Sequence, residues 1–515
     1  MREKYKIKKS DLSITVFLLI GILIVVNIFS YQIFYRWDLT QGKVYSISKA
    51  SKNTVANLDD IVNIKAYFSE SLPSQFLSLK QEVADILEEY EAFSNGNIRV
   101  EFIDPLGDDS MQRELMMIGI PQLTFEVYEK DKRQLINGYM GIAISFGSNT
   151  ESIPAVKRNT SDLEYQLTTA IKKVVSDEIA TIGFLTTQGS ASLENNIRTA
   201  GEELAGLYTI VPVSLEEESP SIPDGVDTLI IVGPKEKFID EQLKAINAFV
   251  VRGGALLVLM DGVNIKEGLQ AANNESNLDE LLTKYGITLN KNLVADKRSG
   301  MASFSQGFFT FSSNYAFWPQ ITNEGFSSEH SAVSNLENVI MPWASSVSVD
   351  TAKISAESVK NLVFTTKGAW SIKDSYDITP NSANTPKGAT QEYVLAVSVN
   401  GVVPNAYADD YPEEQKDING RIIVVGDSDF VSDNFIRNTP DNLTLFQNLV
   451  DALSFDEDLI GIRSKGVTSR PIKELSDSGR ATMRYLNVFG ITIIVIAFGM
   501  VRYYIRRRSR FVDDL

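Results

Sequence analysis

The residues best placed to do chemistry are two aspartates separated by one serine. Arg421-Ile-Ile-Val-Val-Gly-Asp-Ser-Asp-Phe430 is an apolar run that ends at Gly426 and delivers Asp427 and Asp429. Such a run predicts a buried strand, and in open α/β sheets ligands bind beyond the carboxyl ends of strands. Two carboxylates there can hold a cation or accept the hydroxyl hydrogens of a sugar. Alternatively, one caps the next helix and the other is solvated. The single histidine, His330, stands in Ser-Ser-Glu-His-Ser-Ala-Val. As a general base it would need a nucleophile and an orienting partner. Asp427 can orient it, but there is no cysteine and no Gly-x-Ser-x-Gly turn, so a structural histidine and a non-enzymatic chain are expected. Gly253-Gly254 falls between a predicted helix and strand and reads as a helix C-cap; a phosphate-binding turn would precede a helix instead. Phe304, Phe308, Phe309, Phe311, Phe317 and Trp318 form either an apolar or sugar-stacking patch or a small local core.

Composition narrows the chemistry further. Absence of cysteine removes disulfides, thiol nucleophiles, iron–sulfur clusters and Cys-ligated zinc, and one histidine cannot make a His-rich metal site. A net charge of −17 argues against a nucleic-acid surface. No Gly-x-x-x-x-Gly-Lys-Ser/Thr occurs, so any ATP must be bound by another chain. No cofactor is expected.

These residues sit in a predicted α/β body of two domains. Ile61–Phe68, Phe76–Phe93 and Asn97–Asp104 read as strand, helix and strand, a βαβ unit. A short helix at Met111–Met117, a strand opened by Gly119-Ile-Pro121, another over Tyr139–Phe146 and a helix over Ser161–Val175 follow. That order resembles thioredoxin-like domains, in which a cis proline begins the third strand; Pro121 is either that residue or an ordinary turn proline. Ser69-Glu-Ser-Leu-Pro-Ser stands where a redox member carries Cys-x-x-Cys. The second domain alternates strands at Ile179–Leu185, Tyr208–Val213, Asp227–Pro234 and Gly254–Met260 with helices, predicting a parallel, doubly wound sheet. A β-rich insertion near 295–390, including Val359–Thr365, interrupts it; strands at Tyr393–Val399 and Arg421–Phe430 and a helix at Leu443–Leu453 close it.

Both ends predict membrane anchors. Ser13–Tyr35 and Tyr485–Val501 carry no charged residue. Twenty-three residues rising 1.5 Å each cover the roughly 30 Å of bilayer hydrocarbon. Residues 1–12 and 502–515 each hold five basic and two acidic side chains. Cations flanking spans stay cytoplasmic, so both termini are expected inside and the acidic body extracytoplasmic. Asn27-Ile-Phe-Ser-Tyr-Gln lacks a small-x-small cleavage site, which favours an uncleaved anchor. Asn27, Ser30 and Gln32 lie broadly on one side of the first span. There they can hydrogen-bond to a partner helix, at about 0.6–2 kcal/mol each, or simply be hydrated near the interface. The expected order is tail 1–12, span 13–35, juxtamembrane connector 36–58, thioredoxin-like domain 59–176 and doubly wound domain 177–460. A linker 461–484, span 485–505 and tail 506–515 complete it.

Motifs along the whole chain carry a resemblance. They are Arg36-Trp-Asp-Leu-Thr with Tyr45-Ser-Ile-Ser, Asp227-Thr-Leu-Ile-Ile-Val-Gly-Pro, Arg252-Gly-Gly-Ala-Leu-Leu-Val-Leu and Tyr285-Gly-Ile. His330 with Met341-Pro-Trp-Ala-Ser-Ser, and Val425-Gly-Asp-Ser-Asp-Phe, complete the set. Together they resemble the GldG-like auxiliary proteins of ABC-2-type, gliding-motility-associated transporters. The resemblance implies an amidotransferase-like (Rossmann-like) second domain and a non-catalytic extracytoplasmic subunit in the inner membrane, working with a separate permease and cytoplasmic ATPase. A membrane-anchored carbohydrate-binding module or degenerate hydrolase is the alternative, with a glycan or lipid-linked ligand. Asp427, Asp429 and His330 are the candidate ligand or partner contacts, and Asn27 and Gln32 the candidate membrane-helix contacts.

Overall fold

Ser48 opens the first helix by accepting a hydrogen bond from Ser51 N at 3.1 Å, which caps α1 (Lys49–Ala56). The computed structural model describes residues 46–454, except 130–131, 158–159, 161–162, 176–179, 267, 307–308, 335, 381–384, 387 and 411–415. It also describes residues 18, 19, 21, 22 and 477–510. The described part of the expected connector is no free tether. Ile47, Ala50, Val55 and Leu58 are buried. Buried Glu89 accepts from Ile47 N at 2.7 Å, and Glu164 accepts from Ser51 Oγ at 2.6 Å. The segment is sealed to the body because leaving those two carboxylates unpaired would be costly.

The first sheet grows from a parallel βαβ unit. β1 (Val62–Phe68) lies beside β2 (Ile98–Ile103), with Val62 opposite Ile98, and α2 (Leu77–Phe93) crosses between them. Leu79, Val83, Ile86, Leu87 and Tyr90, three or four residues apart, form the helix face turned to the core. Asp108 caps α3 (Asp109–Met117). A hairpin of β3 (Leu123–Glu129) and β4 (Lys132–Gly138) pairs only with itself. β5 (Met140–Phe146) then runs antiparallel to β1, β6 (Asn149–Ile153) antiparallel to β5, and α4 (Leu163–Val175) ends the unit. The order is β2-β1-β5-β6. Pro121 therefore does not open the strand beside β1, and no described peptide bond is cis. The physical reason is polarity: Thr124, Glu126 and Leu135 of the hairpin are exposed, whereas Met140-Gly-Ile-Ala-Ile144 is buried throughout and can pack centrally.

The second sheet begins with β7 (Thr181–Leu185), α5 (Arg198–Ala205), β8 (Thr209–Val213), β9 (Thr228–Val232), α6 (Asp240–Val251) and β10 (Ala255–Leu259). Gly253 and Gly254 donate back to Val250 and Phe249, each at 3.0 Å, giving α6 the glycine C-cap that the sequence predicts. The chain then leaves the sheet through β11 (Val263–Lys266), β12 (Gln270–Asn273), α7 (Leu278–Tyr285), β13 (Ile287–Leu289) and β14 (Leu293–Ala295). It continues through β15 (Ser299–Gln306), β16 (Phe309–Thr322), β17 (Asn338–Ile340), β18 (Val347–Val349), β19 (Val359–Phe364) and β20 (Trp370–Ile372). β21 (Val394–Pro404), β22 (Asp417–Val425), α8 (Asp433–Asn438) and α9 (Pro440–Ser454) bring it back.

Seven strands assemble in the order β19-β21-β22-β10-β9-β7-β8. β8, β7, β9, β10 and β22 are parallel, but β21 runs antiparallel to β22 and β19 antiparallel to β21. The four strand runs β7 to β10 are parallel as expected, and the later strands β21 and β19 make the sheet mixed. Val359–Phe364, expected within the insertion, is its edge strand. β21 reaches β22 through a connection of twelve residues and pairs with it antiparallel, from Ala396 opposite Val425 to Pro404 opposite Asp417. Ala255, Leu257 and Leu259 face one core with α5 and α9, while Leu256 and Val258 face another with α6 and α7. Helices cover both faces.

The two sheets keep separate cores yet belong to one compact unit, Met1–Thr468. A buried carboxylate joins them. Asp451 of α9 accepts from Tyr165 Oη of α4 at 2.9 Å and from Tyr208 Oη before β8 at 2.5 Å.

The second unit, Ser469–Leu515, holds the helix α10 (Asp477–Arg510). Among the described residues no single helix is long and apolar enough to cross a membrane. Ser478–Gly490 and Ile493–Tyr503, bent by 46°, meet that measure together by length and composition. Leu486, Val488, Phe489, Ile493, Ile494, Val495, Ile496 and Phe498 are all exposed. Of the first expected span only Leu18, Leu19, Gly21 and Ile22 are described, and all four are helical and exposed. Asn27 and Gln32 lie outside the described residues.

Candidate functional site

Three motifs that lie far apart in the sequence end at one place, the carboxyl edge of β9, β10 and β22. β10 delivers Asp261 and β22 delivers Asp427 and Asp429, and one carboxylate oxygen from each lies within 4.8 Å of the others. Asp261 and Asp427 are buried; Asp429 is partly exposed and forms the mouth. Asp427 Oδ1 accepts from Asp429 N at 2.7 Å and Phe430 N at 3.1 Å, holding the short turn Asp429–Val431. Its Oδ2 is buried with no hydrogen-bond partner. Asp261 accepts both the backbone N–H, at 2.8 Å, and the hydroxyl of Ser428. Asp427 therefore makes both a cap-like bond and a contribution to the cluster, two roles that the sequence alone presents as alternatives.

Close packing fixes this edge. Gly426 passes so near the Ser345 carbonyl oxygen that a side chain there would collide with it. Ser345 N donates to Gly426 O at 2.6 Å, and Ser345 Oγ accepts from Gly262 N at 3.0 Å. The Met341-Pro-Trp-Ala-Ser-Ser346 segment is thus bolted to the loops after β10 and β22. Gly233, after β9, has φ +55°, and a Cβ there would stand 2.7 Å from Ser428 Oγ. Glycine meets both demands. Asn442 of α9 completes the frame by donating to Phe430 O and Ile340 O, each at 2.9 Å.

The electrostatics follow from burial. Burial first, then the charges of Asp261 and Asp429, push Asp427 well above the ordinary carboxylate range. Asp429 is raised to about 7 by burial and Asp261, against the pull of Lys235. Burial raises Asp261 too, opposed by its bonds from Ser428. No ion pair among the described residues reaches any of the three. Two unit charges 4.8 Å apart repel by about 3.5 kcal/mol at an effective dielectric near 20. The group therefore calls for protons or a cation, and its donors are oxygen only.

Asp261 was absent from the sequence-level candidates. Its signal was there: like Asp427, it stands one residue beyond an apolar strand run, after Met260 as Asp427 is after Gly426. His330 lies elsewhere, lining a cavity with Glu357, Lys360 and Arg421. Arg421 pairs with Ala255 at the amino end of β10. Six residues separate it from Asp427 along an extended strand, about 20 Å, so Asp427 does not orient His330. The imidazole Nδ1 accepts from Ala332 N at 3.3 Å, a local turn bond. The amino edge also borders a cavity of about 680 Å³ lined by Thr54, Asn57, Lys172, Lys173, Asp227 and Arg421.

The aromatic run is divided between two environments. Phe317 is buried, and Phe304 packs edge-on against Tyr315 at 5.2 Å inside the insertion's core. Phe309 and Phe311 stand exposed, and Phe308 lies outside the described residues. Trp318 packs edge-on against Tyr315 at 5.8 Å and also against Trp343 at 5.5 Å and Phe435 at 4.9 Å. The five described residues do not make one exposed stacking surface, because Phe317 is buried.

Residues 180–455, which contain the whole second sheet and the aspartate cluster, match the family described as an ABC-type uncharacterized transport system. The chain belongs to this family. An auxiliary, transport-associated role goes with it. Residues 41–145 match a domain family of unknown function. An uncharacterized protein of Borreliella burgdorferi is 25% identical over 519 residues, covering 97% of this chain and 98% of that one. Among solved structures, the mmIFT52 N-terminal domain is 15% identical, with a TM-score of 0.35 over 53% of this chain and 97% of that one. A ThuA-like protein from Parabacteroides merdae is 11% identical, with a TM-score of 0.29 over 55% and 99%.

Proposed function

We propose that the protein is a non-catalytic, GldG-like auxiliary subunit whose extracytoplasmic body works beside a separate ABC-2-type permease and cytoplasmic ATPase. The observation that carries this reading is the transport-family match over 180–455. The apolar, exposed side chains of α10 support a membrane helix at the carboxyl end, since a helix apolar on all sides is at home in lipid or in a protein interior. The basic tails support cytoplasmic termini in the inner membrane.

The β2-β1-β5-β6 order, with one parallel and two antiparallel pairings, supports a thioredoxin-like first domain. Without cysteine such a domain serves as a scaffold or docking element. Five parallel strands with helices on both faces support a doubly wound, amidotransferase-like second domain. The separation of His330 from Asp427 supports a binding role over hydrolysis.

The test is purification of the full-length protein from its native membrane in mild detergent, followed by identification of what accompanies it. A polytopic permease and a nucleotide-binding subunit are expected in fixed ratio. Recovery of the chain alone under every mild detergent would overturn the subunit reading.

A further inference from the structure

We propose that Asp261, Asp427 and Asp429 bind a hard divalent cation of the Ca²⁺ and Mg²⁺ class at the carboxyl edge of the seven-stranded sheet. Three observations carry it together. One oxygen of each carboxylate lies within 4.8 Å of the others, close to the span of two oxygens bound across one ion at about 2.4 Å. The buried Asp427 keeps one oxygen for backbone donors and leaves Oδ2 with no hydrogen-bond partner, so that atom is available to an ion. Asp261 and Asp427 both accept from neighbouring backbone N–H groups, which fix the position of each carboxylate at the strand end.

Ligand chemistry selects the metal class. Carboxylate oxygens without imidazole or thiolate suit Ca²⁺, Mg²⁺ or Mn²⁺ and disfavour the softer metals. Gly233, Gly262 and Gly426 keep bulk away from the turns that carry the ligands. The sheet holds Asp261 and Asp427 rigidly, and the partly exposed Asp429 provides a path from solvent. A cation here would tie the end of β10 to the turn after β22 and, through Ser345 N on Gly426 O, to the Met341–Ser346 segment. Its predicted role is to lock the insertion onto the sheet.

The experiment uses the full-length protein in detergent, stripped with EDTA, and titrates CaCl₂ and MgCl₂ separately by calorimetry near neutral pH. One saturable ion per chain is expected, with a rise in melting temperature that EDTA reverses. Asp429→Asn is the informative variant, because among the described residues no hydrogen bond to its carboxylate is lost on substitution. It should fold and bind the preferred ion at least about ten-fold more weakly. Asp374→Asn, changing an exposed acid, should bind as the parent does. Absence of saturable binding by either ion up to about 10 mM overturns the proposal and leaves the cluster neutralised by protons. Binding unchanged in Asp429→Asn overturns it equally, by placing the ion elsewhere on this acidic chain.

Discussion

Asp451 is fully buried, and two tyrosines from opposite sides of a domain boundary bond to it. Replacing either tyrosine with phenylalanine keeps the ring and removes one O–H donated to a buried carboxylate. Losing one hydrogen bond to a buried acceptor costs about 1–3 kcal/mol. Tyr165 Oη bonds to Oδ2 and Tyr208 Oη to Oδ1 of the same side chain. The double replacement should therefore be non-additive by at least about 0.5 kcal/mol. The body is large: residues 46–454 unfolding at about 2.1 cal/mol/K per residue give an entropy near 0.9 kcal/mol/K. A loss of about 2 kcal/mol then lowers the melting temperature by only about 2 °C, so a denaturant titration is the better assay. The expected result is a single transition for the parent protein with a lower midpoint in each variant. Losses below about 0.5 kcal/mol in both variants would refute the bridge, and two separate parent transitions would refute a body that unfolds as one.

Further outcomes can be measured on the same preparation. Asp441, buried in the first turn of α9, is raised to about 6 by burial and by Glu337. The folded state then binds more protons than the unfolded one between about pH 4 and 6, so this side chain's contribution falls as pH rises through that window. Asp441→Asn should remove that slope, gaining up to about 3 kcal/mol relative to the parent between pH 4 and 7; parallel pH profiles would refute it. Asp433 of α8 accepts from Arg198 N at 3.1 Å and Thr199 N at 2.8 Å, capping α5 from another helix. Asp433→Ala should cost about 0.5–2 kcal/mol by denaturant titration, and a neutral change would show the cap to be idle. Gly426→Ala must displace the Ser345 carbonyl and should cost about 1–3 kcal/mol; unchanged stability would mean that the Met341–Ser346 segment is loosely held. Reporter fusions at residues 5 and 510 should be active only in the form that reads cytoplasmic exposure, and activity outside would reverse the topology.

Much of the local structure was legible from residue order alone. The β1–α2–β2 unit, the strands β7 to β10, helix α6 with its glycine cap and helix α9 follow from apolar periodicity and stop signals. Those signals act within a few residues of themselves, so no tertiary knowledge is needed to read them. Asp427 and Asp429 stood out for the same reason, as acids at the abrupt end of an apolar run.

Pairing partners were decided by the tertiary structure. Leu123–Glu129 and Met140–Phe146 both read as strands; their place beside β1 turned on which could be buried on both sides, and that depends on neighbours distant in sequence. The same holds for β19, which looked like part of an insertion but closes the main sheet. Asp261 is 166 residues from Asp427, and only the parallel register of β10 with β22 makes them neighbours. The separation of His330 from Asp427 is equally a matter of which end of a strand each residue meets. Residue order thus determined which segments could be strands and which acids end them, because propensity and burial period are local properties. Register and sheet order, which assemble three separate acids into one cluster, were set by packing over long range.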